Sequence, residues 1–323
     1  MLRRILLGVI LVVALVMLGI RLQGVQAENL AAQDNANIVR GAMLYDKWYA
    51  VLGQNAPQGT MPLWTKQSTN TRSGPDTWRC VSCHGWDYQG RDGAYRYGSN
   101  FTGFPGIYSA RQQKPEEIVA TLKGATNPEH NFSASLDDAA LNDLASFINQ
   151  ALIDDAETID PQTLEVKGGD ATHGMILYAQ TCASCHGVDG KEKSFRFEGR
   201  DAWLGTLAAL DPWRFLHKTR YGTPGTEMPI GQDLGWTAQD GRDVLLYARS
   251  LPTGLEIQGQ APSFEGQEVI TTQQPGGPAS SVFTGILTAL GAVATGLGFA
   301  VILGGLLVGF ILLIVWLIRG QKK

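Results

Sequence analysis

The chain has 323 residues, a formal net charge of −4 and four cysteines. The mild acidity leaves no basic stripe that could neutralise phosphates, which argues against nucleic acid as a partner. The chain opens with Met1-Leu-Arg-Arg4, a basic segment, followed by the apolar run Ile5–Ile20. Val25-Gln26-Ala27 then supplies the small-residue spacing of a signal-peptidase site, so residues 1–27 read as a leader with Glu28 as the first mature residue. An uncleaved anchor is the alternative. Both export the chain.

The exported part reads as a duplicated unit, 35–155 and 160–253. Arg40-Gly-Ala-Met-Leu-Tyr45 matches His173-Gly-Met-Ile-Leu-Tyr178, each expected at the start of a helix. Each unit closes on an amphipathic helix, about Leu136–Ala151 in the first and Thr237–Leu251 in the second. Leu141, Leu144, Phe147 and Ile148 recur there at helical spacing. Asp137, Asp138 and Thr237 stand at N-cap or first-turn positions, and Pro252 ends the second helix. The first unit carries an insertion at 46–79, rich in Trp and Pro and expected to be mostly non-helical. Residues 254–281 are rich in Gly, Pro, Gln and Thr and read as a flexible linker. The segment 282–318 has no charge and is long enough to span a bilayer. Arg319, Lys322 and Lys323 follow it, so 319–323 reads as a cytoplasmic tail. Gly305 and Gly309 form a small face suited to a transmembrane helix partner.

All four cysteines fall in two pentapeptides, Cys80-Val-Ser-Cys83-His84 and Cys182-Ala-Ser-Cys185-His186. C-x-x-C-H is the attachment pattern of c-type haem. Two thiols at this spacing reach the two vinyl groups of one porphyrin, and the next imidazole is held under the iron. A zinc ribbon also uses paired C-x-x-C, but its pairs lie about 15–20 residues apart, whereas about a hundred residues separate these. A thioredoxin-like redox pair leaves the histidine unexplained. Two covalent haems c follow, one per unit. With the cysteines so used, no disulfide framework remains.

These features resemble class I c-type cytochrome domains. That family implies an all-α fold in which a helix bearing a glycine crosses a final helix bearing an aromatic residue. Gly41 with Phe147, and Gly174 with Tyr247, fit those places. The resemblance also implies a sixth iron ligand from a loop before the final helix. In the second unit Gly222-Thr-Pro-Gly-Thr-Glu-Met228-Pro229 is such a loop, giving His186/Met228 ligation, with His217 expected at the surface or the haem edge. The first unit has no methionine between His84 and its last helix; the matching loop offers His130, giving His84/His130. Met61 and an open, five-coordinate iron are the alternatives there. His/Met ligation raises the reduction potential relative to two imidazoles.

The expected product is a membrane-tethered dihaem cytochrome c on the periplasmic side of the cell membrane. It would carry electrons between respiratory or photosynthetic redox partners, a redox protein or a membrane complex. A haem enzyme acting at the first site (a dihaem peroxidase or a sulfur-compound dehydrogenase) is the second reading. A structural haem subunit of a larger membrane complex is the third.

Overall fold

The computed structural model describes residues 32–197 and 199–254. The leader expected at 1–27, all of the 254–281 linker beyond Gly254, the apolar segment 282–318 and the tail 319–323 lie outside the described residues. Among the described residues no helix is long and apolar enough to cross a membrane.

The first half begins with helix α1, residues 32–51. Arg40–Tyr45 therefore sits in the middle of a helix and not at its start. The segment expected to be non-helical from residue 46 is still helical through 51, because Trp48 and Tyr49 continue the buried stripe of Leu44 and Tyr45. The rest of the insertion is irregular, with 3-10 turns at Pro62–Lys66 and Gly74–Trp78. α2 (Cys80–His84) is a single turn ended by Gly85 at φ 77°. α3 (Pro115–Leu122) packs on α4 (Asp138–Gln150). Asp137 caps α4 by accepting from the Ala140 N–H at 2.8 Å.

The second half repeats the plan in shorter form. α5 (Ala171–Thr181) runs into α6 (Ala183–His186), ended by Gly187 at φ 79°. A two-stranded antiparallel hairpin follows, β1 (Phe195–Phe197) with β2 (Arg200–Ala202). This hairpin departs from the all-α expectation; the fold is mostly helical. α7 (Leu204–Leu210), α8 (Pro212–Tyr221) and α9 (Ala238–Ala248) complete it. Thr237 caps α9, its hydroxyl accepting from the Asp240 N–H while the Asp240 carboxylate accepts from the Thr237 N–H.

In each half the first long helix crosses the last one at a glycine. A Cβ on Gly41 would lie 2.1 Å from the Asp143 carbonyl oxygen, and one on Gly174 would lie 2.0 Å from that of Asp243. Neither position has room for a side chain. The same aspartates are tied back by side chains: Arg40 pairs with Asp143, and His173 Nδ1 lies 2.8 Å from Asp243. Tyr45 rests on Phe147, ring centroids 5.8 Å apart, and Tyr178 on Tyr247 at 5.3 Å.

The two halves share one buried core. α8 is the element that joins them. His217, expected at the surface or at a haem edge, is instead fully buried in the first half. Its Nδ1 is 2.8 Å from the Tyr88 hydroxyl and its Nε2 is 3.2 Å from the Ala42 carbonyl. Burial pushes its pKa down to about 3, so the ring is neutral. The sequence gives no sign of this, because the partners are more than a hundred residues away. Beside it Lys218 and Arg79 both pair with Asp46.

Gly174→Ala should cost about 1–3 kcal/mol or more, since the helices must part to admit the methyl group; denaturant unfolding of the two proteins measures it. The His173–Asp243 pair gives a pH signature. Its hydrogen bond to Asp243 raises the His173 pKa, so the pair stabilises fully below the ordinary histidine value of about 6.5. That contribution fades as pH rises through the raised folded value. The stability difference between wild type and His173→Gln should therefore shrink on moving from about pH 6 to above pH 8, as unfolding curves at each pH would record.

Candidate metal centres

Each cysteine turn opens into a cavity. The first, of about 400 Å³, is lined by Cys80, Cys83 and His84, and across from them by His130 and Phe132. Leu144 and Ile148 of α4 and Met61 from the insertion complete its apolar wall. The second, of about 490 Å³, is lined by Cys182, Cys185, His186 and Met228, with Phe195, Leu204, Leu207 and Trp236. Both volumes lie in the range of cofactor sites, about 300–1,000 Å³. All the sequence-predicted donors thus converge, four to each cavity.

Local structure aims them. The turn at Gly85 exposes its carbonyl to the Tyr45 hydroxyl, 2.6 Å away, and the Gly187 carbonyl accepts from Tyr178 at 2.7 Å. The glycine after each histidine is therefore pinned to the first long helix of its half. His84 Nδ1 donates to the Pro105 carbonyl at 2.7 Å, and His130 Nδ1 lies 3.3 Å from the Thr121 carbonyl. A proton held at Nδ1 leaves the Nε2 lone pair as the donor, the arrangement usual for metal-bound histidine. The His84 and His130 rings stand 6.2 Å apart, centroid to centroid, at 75°. Metal–nitrogen bonds of about 2 Å on each side place two imidazoles roughly this far apart. Burial pushes His84 down to about 4 and also lowers His130, so both are neutral and able to ligate.

At the second cavity the Thr223 hydroxyl donates to the Met228 sulfur at 3.3 Å. His186 Nδ1 is buried with no hydrogen-bond partner among the described residues. The two proximal histidines thus differ in their support.

The cysteines do not resemble a redox pair. All four are unbridged. Burial pushes the Cys80, Cys83 and Cys182 thiols up to about 12, whereas a reactive C-x-x-C lowers its thiol pKa. Two thiols, one neutral imidazole and an apolar slot fit a covalently attached porphyrin.

Residues 169–247 match the family model described as cytochrome C oxidase, cbb3-type, subunit III. This segment is a cytochrome c domain. The chain is accordingly a haem electron-transfer protein, and the domain carries covalent haem c. A search of curated proteins finds no match.

Four supporting residues were not legible as such in the sequence. Pro105 acts through a main-chain carbonyl, which any residue could offer. Thr223 is marked only by lying in the methionine loop. Tyr45 and Tyr178 stand out only as the aligned ends of the two matching segments.

Removal of the hydroxyl beside Met228 tests its role. An O–H bond to the thioether withdraws electron density and weakens it as a donor to ferric iron. Thr223→Val should therefore stabilise the ferric state and lower the reduction potential of this site, as a spectroelectrochemical titration would show.

Proposed function

We propose that this chain is a dihaem cytochrome c, tethered to the membrane by residues 282–318, that relays electrons on the extracytoplasmic side. Cys80 and Cys83 hold the first haem, with His84 and His130 as axial ligands. Cys182 and Cys185 hold the second, with His186 and Met228. The observation that carries the reading is the pair of facing imidazoles in the first cavity, 6.2 Å apart, set against a thioether in the second. Haem supplies a one-electron ferric/ferrous couple when bound; the chain sets its potential and its accessibility.

The first site is the lower in potential. It has two imidazoles, and the Pro105 carbonyl makes His84 more basic. The second has a thioether and a proximal histidine whose Nδ1 finds no such carbonyl among the described residues. Electrons therefore run downhill from the first site to the second. Cys185 is exposed and Val188, three residues on, is 80% exposed. The second site thus offers an open edge to a redox partner, a protein or a membrane complex. A saturated first iron has no vacant position for a substrate, which favours the carrier over the haem enzyme. The linker would hold the domains close to a membrane partner at high effective concentration.

Haem counting by mass tests the reading. The exported protein should carry two haems, and the double substitution Cys80→Ala/Cys83→Ala should carry one. Reduced wild type should bind carbon monoxide poorly at the first site, and His130→Ala should open it. An unchanged spectrum in His130→Ala would transfer the sixth position to Met61, which lines the same cavity. Fast carbon monoxide binding by the wild-type first site would overturn the carrier reading in favour of the enzyme.

A further inference from the structure

The halves meet in a continuous file of π-systems. Tyr45 lines the first cavity, and its ring lies 6.0 Å from that of His217. His217 lies 5.0 Å from Trp86. The Arg214 guanidinium sits 5.9 Å from the Trp86 ring and 5.8 Å from the Phe195 ring, between the two. Phe195 lines the second cavity, as does Arg214. The file thus begins at one cavity and ends at the other. Trp86 is in addition only two residues beyond His84 in the chain.

We propose that Tyr45, His217, Trp86, Arg214 and Phe195 form the path by which electrons cross between the two sites. The inference rests on the two-haem reading and assigns it a route. Electronic coupling falls off less steeply through packed atoms than across open space or loosely held water. A polar cavity of about 470 Å³ is lined by both Cys83, of the first site, and Arg214, of the second, and the open space in it couples poorly. Trp86 and Arg214 of the file line this cavity, and their packed contacts with His217 and Phe195 supply a dense route beside it.

The step is a one-electron exchange: a ferrous donor in the first cavity is oxidised and a ferric acceptor in the second is reduced. No bond is made or broken and no proton is transferred. His217 suits this role because it is neutral and held by two hydrogen bonds, so its position is fixed. The Arg214 side chain also helps to join the halves through its cation–π contact with Trp86. A structural role alone predicts lost stability without a change in rate once the protein is folded.

The experiment uses the full chain with its haems. Rapid photoreduction of the fully oxidised protein, followed at wavelengths that separate the two sites, gives the rate of internal equilibration. Haem mass, both reduction potentials and the unfolding midpoint are recorded for each variant. Trp86→Leu should slow the internal phase at least tenfold with both potentials unmoved, and Trp86→Phe should restore most of it. Phe195→Leu, at the far end of the file and half-buried, should slow it as well and guards against misfolding of the Trp86 variants. Two haems with an internal rate unchanged in both leucine variants would overturn the path while leaving the dihaem reading intact. One haem in the wild-type protein would overturn both, and the mass readout separates the cases.

Discussion

Two helices can touch backbone to backbone only where one of them lacks a side chain, and each half of this molecule depends on one such contact. Gly41 lies against the Asp143 carbonyl and Gly174 against that of Asp243. The approach brings Tyr45 over Phe147 and Tyr178 over Tyr247, and it fixes where each tyrosine hydroxyl points. Those hydroxyls hold the glycines that end the cysteine turns. The direction of His84 and His186 is therefore inherited from a helix crossing with no ligand atom of its own. The glycines bear on chemistry only through this geometry.

α8 plays the corresponding part between the halves. It places Lys218 against Asp46, which also receives Arg79 at 2.5 Å. Burial pushes the Asp46 carboxyl up, but Lys218 and Arg79 outweigh it and hold the group below the ordinary range. Buried ion pairs contribute little net stability, because desolvation offsets most of the attraction, yet losing one partner strands a charge. Their effect here is on orientation. A slip of α8 by one position would remove Lys218 from Asp46 and His217 from Tyr88 together. The contact is thus specified by polar groups that tolerate few alternatives, while apolar packing around them supplies the adhesion.

The parts of this architecture that were legible in the sequence are those written as local pattern. C-x-x-C-H, the glycine of each crossing, the caps Asp137 and Thr237, and the methionine loop each depend on residues close in the chain. The two caps and the two crossing glycines stand where the pattern puts them, and the cysteine turns and the methionine loop each line a cavity. The reading failed where a distant partner decides. His217 carries the same local signals as a surface histidine on an amphipathic helix; only Tyr88 and Ala42 make it a core residue. α1 runs past residue 46 because distant residues cover it, Lys218 of α8 at Asp46 and the Trp78 carbonyl of the insertion at Trp48, so both are buried. The hairpin at Phe195–Ala202 is three residues per strand, too short to show alternation. Carbonyl acceptors such as Pro105 leave no mark in side-chain identity.

The two halves lay different loops over one helical frame. The crossing, the tyrosine and the glycine after the histidine are common to both, and these set position. What differs lies in the loops, which no crossing constrains. One loop brings the Pro105 carbonyl under His84, and another brings His130 to face it. In the second half the hairpin occupies the chain after the cysteine turn, His186 Nδ1 has no acceptor among the described residues, and a threonine hydroxyl tempers the methionine sulfur. Each of these differences acts in the same direction. On the proposed dihaem reading the first site would have the more electron-rich donors and the second the electron-poorer ones, so the gradient that would drive an electron between them follows from loop sequence laid over a repeated helical frame.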